Sequence, residues 1–195
     1  MDYTTLSLTD VSRELAAAAR DAAQAFGTMD ARQLNWRPPD GGWSIGQCIE
    51  HLLRSNEIML ASADAAMAPH APRGFWQRLP LWPGLLGPFL VKAMSPQATR
   101  KAKTTPRAEP PSEVPADVVA RFATQQHGLA ARAEATDPVA AAACIMVSPF
   151  MGIVTYSVLD GWRLMAAHNH RHLEQARRVA ATPGFPVSEP PVGAV

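Results

Sequence analysis

Two histidines, His168 and His172, stand four residues apart in a stretch without helix breakers near the end of this 195-residue chain. In an α-helix such positions lie one turn apart on the same face, so both imidazoles can reach one metal ion. Met165 and Val179 share that face, which indicates that it points to the core. Burying two imidazoles without partners would cost about 1–3 kcal/mol each, and a metal ion would supply the partner.

A third histidine, His51, is predicted on the core-facing side of an earlier helix. Ser44 and Gln47 form a capping-box pattern, which predicts that this helix begins at Ile45. Three inward imidazoles on two helices predict a site for a divalent metal. The alternative is that the helical pair is exposed or hydrogen-bonded and that His51 is a core histidine with an ordinary partner.

The other three histidines are not predicted to be ligands. His170 lies about 200° around the helix from His168, which predicts a surface position. His127 lies off the apolar face of its own predicted helix, and His70 falls in a proline-rich segment.

Amphipathic periodicity predicts four helices and no convincing strand. Apolar residues recur three and four positions apart, and Gly27 follows the first helix, where a left-handed C-cap is expected. Such a pattern favours an all-α four-helix bundle. The predicted helices run from 8 to 26, from 45 towards 67, from about 116 to 134 and from about 156 to 181.

We interpret residues 1–195 as one domain with a core at 8–181, an insertion at 68–115 between helices two and three, and a proline-rich tail at 183–195. Ten of the 18 prolines lie in the insertion, which predicts short regular structure there. Its aromatic content predicts an ordered cover over one end of the domain. Trp76 and Trp82 could line a pocket above the metal or form the contact of a homodimer.

Composition and charge exclude several classes of protein. A net charge of +1 lacks the electrostatic footprint of nucleic-acid binding. Residues 138–159 are apolar but interrupted by proline and glycine, and prolines within 79–91 break the helix that membrane-surface binding would need. No secretory signal is recognisable, and the two cysteines are expected to be free thiols, which predicts a cytoplasmic protein.

Two motifs resemble the DinB/YfiT-like superfamily of four-helix-bundle metalloproteins. One is Trp43-Ser-Ile-Gly-Gln47 with Glu-His51-Leu, and the other is His168-x-x-Arg-His172-Leu-x-Gln175. The resemblance extends from Leu8 to about Val179, although the long insertion departs from the shortest members. It implies that one histidine of the second helix and two of the last hold the metal, and that a low-molecular-weight thiol is the cosubstrate, as in the family's thiol-dependent transferases and isomerases.

The chemistry expected of three imidazoles is catalytic, because they leave open coordination positions. Zinc, nickel and ferrous iron all accept imidazole nitrogen. Glu174 lies about 200° around the helix from His172, and Glu50 is a rim residue at best, so no carboxylate is placed as a general base. This absence favours activation of a thiol, or of a water without a strong base, over peptide hydrolysis.

Two residues beside the predicted ligands have open roles. Gln175 could orient a ligand or pack between helices, and Arg171 could bind an anionic substrate or be solvated or ion-paired. The sequence thus favours a metal-dependent enzyme acting on a small molecule, either a thiol transferase or a hydrolase. The alternative is a non-catalytic metal-binding bundle that serves as a dimerisation or interaction module.

Overall fold

A computed structural model describes residues 1–69, 74–75, 77, 82–98 and 104–187. Among them the first, third, fifth and seventh helices are the longest and pack on one another as a bundle, which confirms the predicted all-α class. The helices are α1 (Leu8–Phe26), α2 (Ala31–Asn35), α3 (Ile45–Met67), α4 (Trp82–Ala93), α5 (Val118–Ala135), α6 (Pro138–Ala143) and α7 (Val158–Ala180).

Side-chain caps begin the helices that carry the site. Ser44 accepts from the Gln47 amide, and the Gln47 side chain accepts from the Ser44 amide, so α3 begins at Ile45 as predicted. Ser157 caps α7 by accepting from the Asp160 amide. α1 also has the predicted bounds, but Gly27 is right-handed, with φ −64°, because its amide continues the helical pattern to the Ala23 carbonyl.

Two clusters of buried apolar side chains form the core. One includes Met146, Tyr156 and Trp162, and the other includes Phe26 and Phe122. Fully burying a large apolar side chain stabilises a fold by about 1.5–3 kcal/mol, so these clusters fix how α3 and α7 lie against each other.

The insertion contains a longer helix than predicted. α4 has 12 residues despite Pro88 in its interior, so the expectation that proline breaks this segment was wrong. Pro88 removes one helix hydrogen bond, but packing offsets the loss, because Leu90 and Val91 are buried. Gly87 allows close packing on α7, since a Cβ there would collide with the Asp160 carboxylate.

A small sheet lies in the apolar region before α7. Strand β1 (Ile145–Val147) pairs antiparallel with β2 (Thr155–Ser157), and Met146 lies opposite Tyr156. Three residues per strand are too few for a recognisable alternation, which is why the sequence did not predict them.

No helix within the described residues combines the length and the apolar content needed to cross a membrane.

Candidate metal centre

The three histidines predicted as ligands lie together between α3 and α7. One ring nitrogen from each of His51, His168 and His172 lies within 4.8 Å of the other two. The Nε2 atoms of His51 and His168 are 3.3 Å apart, and the centroids of the His168 and His172 rings are 4.5 Å apart. These rings converge on one point, as ligands of a single ion would.

The local sequence explains the convergence. His168 and His172 lie one turn apart on α7, and His51 lies on the face of α3 that packs on α7. Trp43, immediately before the α3 cap, stacks on His172 with 5.9 Å between centroids and also lies 4.9 Å from the His51 ring. The indole restricts the orientation of both rings.

A backbone carbonyl selects the tautomer of His51. Its Nδ1 donates to the carbonyl oxygen of Ala108, at 2.8 Å, in the short 3-10 turn Pro106–Ala108. The Nε2 atom of a neutral His51 therefore carries the lone pair and faces His168. Metal-binding histidines commonly donate their second nitrogen to such a carbonyl.

Burial keeps the three rings neutral. It lowers the pKa of His51, against the opposing effect of the Ala108 hydrogen bond. Burial and then the neighbouring His172 and His51 hold the pKa of His168 well below its usual range. Burial, followed by His51 and Arg171, lowers the pKa of His172 to about 3. At neutral pH each ring therefore offers a lone pair.

The donor set fits a divalent metal ion. Nδ1 of His172 is buried and has no hydrogen-bond partner among the described residues, and an unsatisfied buried polar atom costs about 1–3 kcal/mol. Three neutral imidazoles suit zinc, nickel or ferrous iron. The same three residues would hold the ion.

The histidines line a cavity of about 960 Å³. Apolar side chains of α3, α4 and α7 form part of its wall, among them Met59, Leu90 and Met165. The insertion contributes further wall residues, including Thr105 and Ala108. A small molecule can therefore lie beside the histidines, which a closed structural metal site would not allow.

Two of the four residues predicted near the metal ligands line the cavity. Gln175 lines the cavity, and so does Arg171, which donates to the carbonyls of Ala93 and Ser95 at 3.0 and 3.3 Å. Arg171 therefore ties the insertion to α7. Trp76 lies outside the described residues, as does the side chain of Trp82.

The exposure predicted for two residues near the ligands was wrong. Glu50 is buried rather than on the rim, and pairs with Arg54 at 3.0 Å and Arg121 at 3.3 Å. His170 is partly buried rather than on the surface, because its Nε2 lies 3.0 Å from the Glu14 carboxylate on α1. The sides of α3 and α7 that point away from the metal ligands also pack against other helices. A residue on such a side is therefore not necessarily exposed to solvent.

His127 is exposed, as predicted.

Sequence reasoning did not predict the role of Asn56 or Asn169. Both are buried, and the Asn56 side-chain amide donates to Asn169 Oδ1 at 3.1 Å. Asn169 lies about 100° around α7 from His168. It therefore falls outside the single row of core-facing residues that the periodicity of α7 predicts. The signal was a polar residue on each helix near a predicted ligand: Asn169 is adjacent to His168, and Asn56 is about 1.4 turns after His51.

Searches of curated proteins and of solved structures found no match. The family model of the DinB superfamily matches residues 14–176, which include all three histidines, the whole of α3 and α5, and most of α1 and α7. The match covers far more than half of the chain. Together with the helical bundle and the histidine cluster, it shows that the chain belongs to the DinB superfamily.

Proposed function

We propose that this protein is a metal-dependent enzyme that transfers a low-molecular-weight thiol to an electrophilic small molecule. The observation that carries the proposal is the position of three convergent neutral imidazoles in the wall of a cavity of about 960 Å³. His51, His168 and His172 would hold zinc, nickel or ferrous iron. When bound, the ion would act as a Lewis acid that lowers the pKa of a thiol or water.

The chain's own residues would orient the reactants and exclude water. Ala108 holds the His51 ring, and Trp43 covers the rings of His51 and His172. The apolar walls restrict solvent around the reacting sulfur. In the transfer, the thiol loses its proton to solvent, a sulfur–carbon bond forms, and the leaving group departs with the bonding electron pair.

The cysteines of the chain are poor candidates for the nucleophile. Cys48 is buried, and burial raises the pKa of its thiol to about 12. Cys144 does not belong to the described lining of the cavity. A thiol from outside the protein therefore fits better than a cysteine of the chain.

Hydrolysis is less well supported than thiol transfer. Asp40 is the one carboxylate among the described residues that line the cavity, and its Oδ1 accepts from the Gly42 amide at 2.9 Å. A hydrolase would favour a carboxylate placed to take a proton from water.

The test is turnover by the metal-loaded protein. Zinc-, nickel- and iron-loaded samples are mixed with several low-molecular-weight thiols and an aryl halide, and thioether formation is followed. We expect turnover with at least one thiol, its loss in His168→Ala, and its retention in His127→Ala. Equal rates in the wild type and in His168→Ala would contradict the proposal.

An interaction module is the alternative function. Leu85 and Phe89 lie one turn apart on α4 and are 71% and 64% exposed, which fits a contact face of a homodimer. A dimer contact does not explain the histidine-lined cavity. Sedimentation of the wild type and Phe89→Ser over a range of concentrations tests it, and a monomer at every concentration would exclude it.

A further inference from the structure

Two adjacent arginines near the end of α7 have opposite surroundings. Arg177 pairs with Asp21 and Glu174. Arg178, the next residue, lines the cavity and has no ion-pair or side-chain hydrogen-bond partner among the described residues. Arg178 is exposed, and no carboxylate of the described segments pairs with it.

The charged groups of the cavity wall are mostly positive. Arg171 and Arg178 both line the cavity. Asp40 is the one described carboxylate in the lining, and it forms no ion pair with Arg178 among the described contacts. An anion entering the cavity would therefore meet an attractive field.

Polar atoms without partners also lie along this cavity. Oδ1 of Asn56 and Oγ1 of Thr105 are buried and have no hydrogen-bond partner in the described part of the chain, and both residues line the cavity beside the histidines. Nδ2 of Asn56 is committed to Gln125 and Asn169, which fixes the direction of Oδ1. Oγ1 of Thr105 can donate to an anion, whereas Oδ1 of Asn56 can only accept, so the two atoms suit a polar ligand that carries a donor as well as an anionic group.

We propose that Arg178 binds an anionic group, a carboxylate or a phosphate, of the molecule whose reactive end reaches His51, His168 and His172. This inference rests on the proposed function, because it names a feature of that function's substrate. The guanidinium would form a bidentate pair with the anion. Arg178 is thus a specificity residue, placed on α7 six residues after His172.

The first experiment uses cobalt-loaded protein and two series of linear thiols of increasing chain length. One series ends in a carboxylate and the other in a neutral hydroxyl, and the cobalt absorption spectrum reports binding of the sulfur. We expect the carboxylate to improve affinity roughly tenfold at one chain length. That preference should disappear in Arg178→Gln and persist in Arg177→Gln.

The second experiment does not depend on metal or thiol. Metal-free protein is titrated with glutarate and, separately, with inorganic phosphate at low ionic strength, and the melting temperature is measured. We expect one or both anions to raise the melting temperature of the wild type and of Arg177→Gln but not of Arg178→Gln. The two anions distinguish a carboxylate site from a phosphate site.

The outcomes separate the two proposals. A preference for anions that depends on Arg178, in either experiment, supports the inference, and its absence from both overturns it. If no thiol of either series changes the cobalt spectrum, the proposed thiol chemistry fails, while the titration without metal still decides the role of Arg178.

Discussion

Two polar clusters involve both α3 and α7, and they differ in how far their members satisfy one another. The imidazole cluster consists of His51, His168 and His172. The amide cluster consists of Asn56 on α3, Asn169 on α7 and Gln125 and Gln126 on α5. Both place polar groups where a helical bundle usually has leucine.

The amide cluster is held together by its own hydrogen bonds. Asn56 donates to Gln125 and Asn169 at 3.1 Å, and Asn169 donates to Gln126 at 2.7 Å. Gln125 also donates to the Leu53 carbonyl at 2.9 Å. These hydrogen bonds link three helices without a ligand. Within the described residues, the exception is Oδ1 of Asn56, which lies at the cavity without a partner.

The imidazole cluster is less completely paired, although Nε2 of His51 and Nε2 of His168 lie within hydrogen-bond distance, at 3.3 Å. Its ring nitrogens face one another, and Nδ1 of His172 has no hydrogen-bond partner within the described ranges. The difference separates polar groups that specify how helices pack from polar groups that are arranged for a ligand. Removing a side chain of the amide cluster should therefore lower the stability of the fold. Removing a side chain of the imidazole cluster should mainly weaken metal binding.

The largest effect is expected for His172→Ala. Loss of one of three ligands should weaken metal binding by more than about a hundredfold, or about 2.7 kcal/mol, because changing even an outer partner of a ligand costs 10–100-fold. Competition with a chromophoric chelator measures the affinity, with His127→Ala as the exposed control. A decrease in metal affinity smaller than about threefold would show that His172 is not a metal ligand.

The next largest effect is expected for Asn169→Ala. It should lower the free energy of unfolding by about 2 kcal/mol with or without metal, because Gln126 loses its donor and a small cavity forms. Urea denaturation measures the change. If the loss appeared only in metal-loaded protein, Asn169 would belong functionally with the histidines, and the contrast between the clusters would be wrong.

The pH dependence of stability should also distinguish the clusters. The pKa of His172 is about 3 in the folded metal-free protein, against about 6.5 for an unfolded histidine. Below pH 6.5 the unfolded chain binds more protons, so the stability due to neutral His172 is present above pH 6.5 and is lost as the pH falls towards 3.

Urea denaturation of the metal-free protein between pH 7 and 4.5 tests this dependence. His172→Gln should lose less stability than the wild type over that range, by on the order of 1 kcal/mol. Asn169→Ala, which removes no titrating group, should give a curve parallel to that of the wild type. Equal slopes for His172→Gln and the wild type would contradict the buried neutral state of His172.

The smallest effect is spectroscopic. Trp43 lies within 5.9 Å of the His172 ring, so a bound nickel or cobalt ion should quench its fluorescence. Trp43→Phe should abolish most of the quenching, whereas Trp36→Phe should retain it, since Trp36 packs on Phe185. Unchanged quenching in Trp43→Phe would place the ion elsewhere.

The sequence predicted the bundle and the ligand set because both depend on residues a few positions apart. The bounds of α1 and the start of α3 follow from caps and periodicity, and His168 and His172 share one helical face. His51 was placed by the phase of its own helix. Local physical rules suffice for such features.

Features that depend on contacts between distant segments were not predictable. α4 forms through packing on α7 and on the sheet, although its prolines disfavour a helix. Glu50 and His170 find partners on other helices. The amide cluster joins residues more than 40 positions apart along the chain, with no spacing that marks them as a group.

X-ray absorption of zinc-loaded protein, purified without a nickel column, tests the central claim most directly. The account predicts one zinc per chain with three imidazole nitrogens at about 2.0–2.1 Å and at least one further light ligand. His172→Ala should lose one imidazole from the spectrum. Zinc bound through sulfur, or a wild-type spectrum without imidazole scattering, would contradict a metal centre built from His51, His168 and His172.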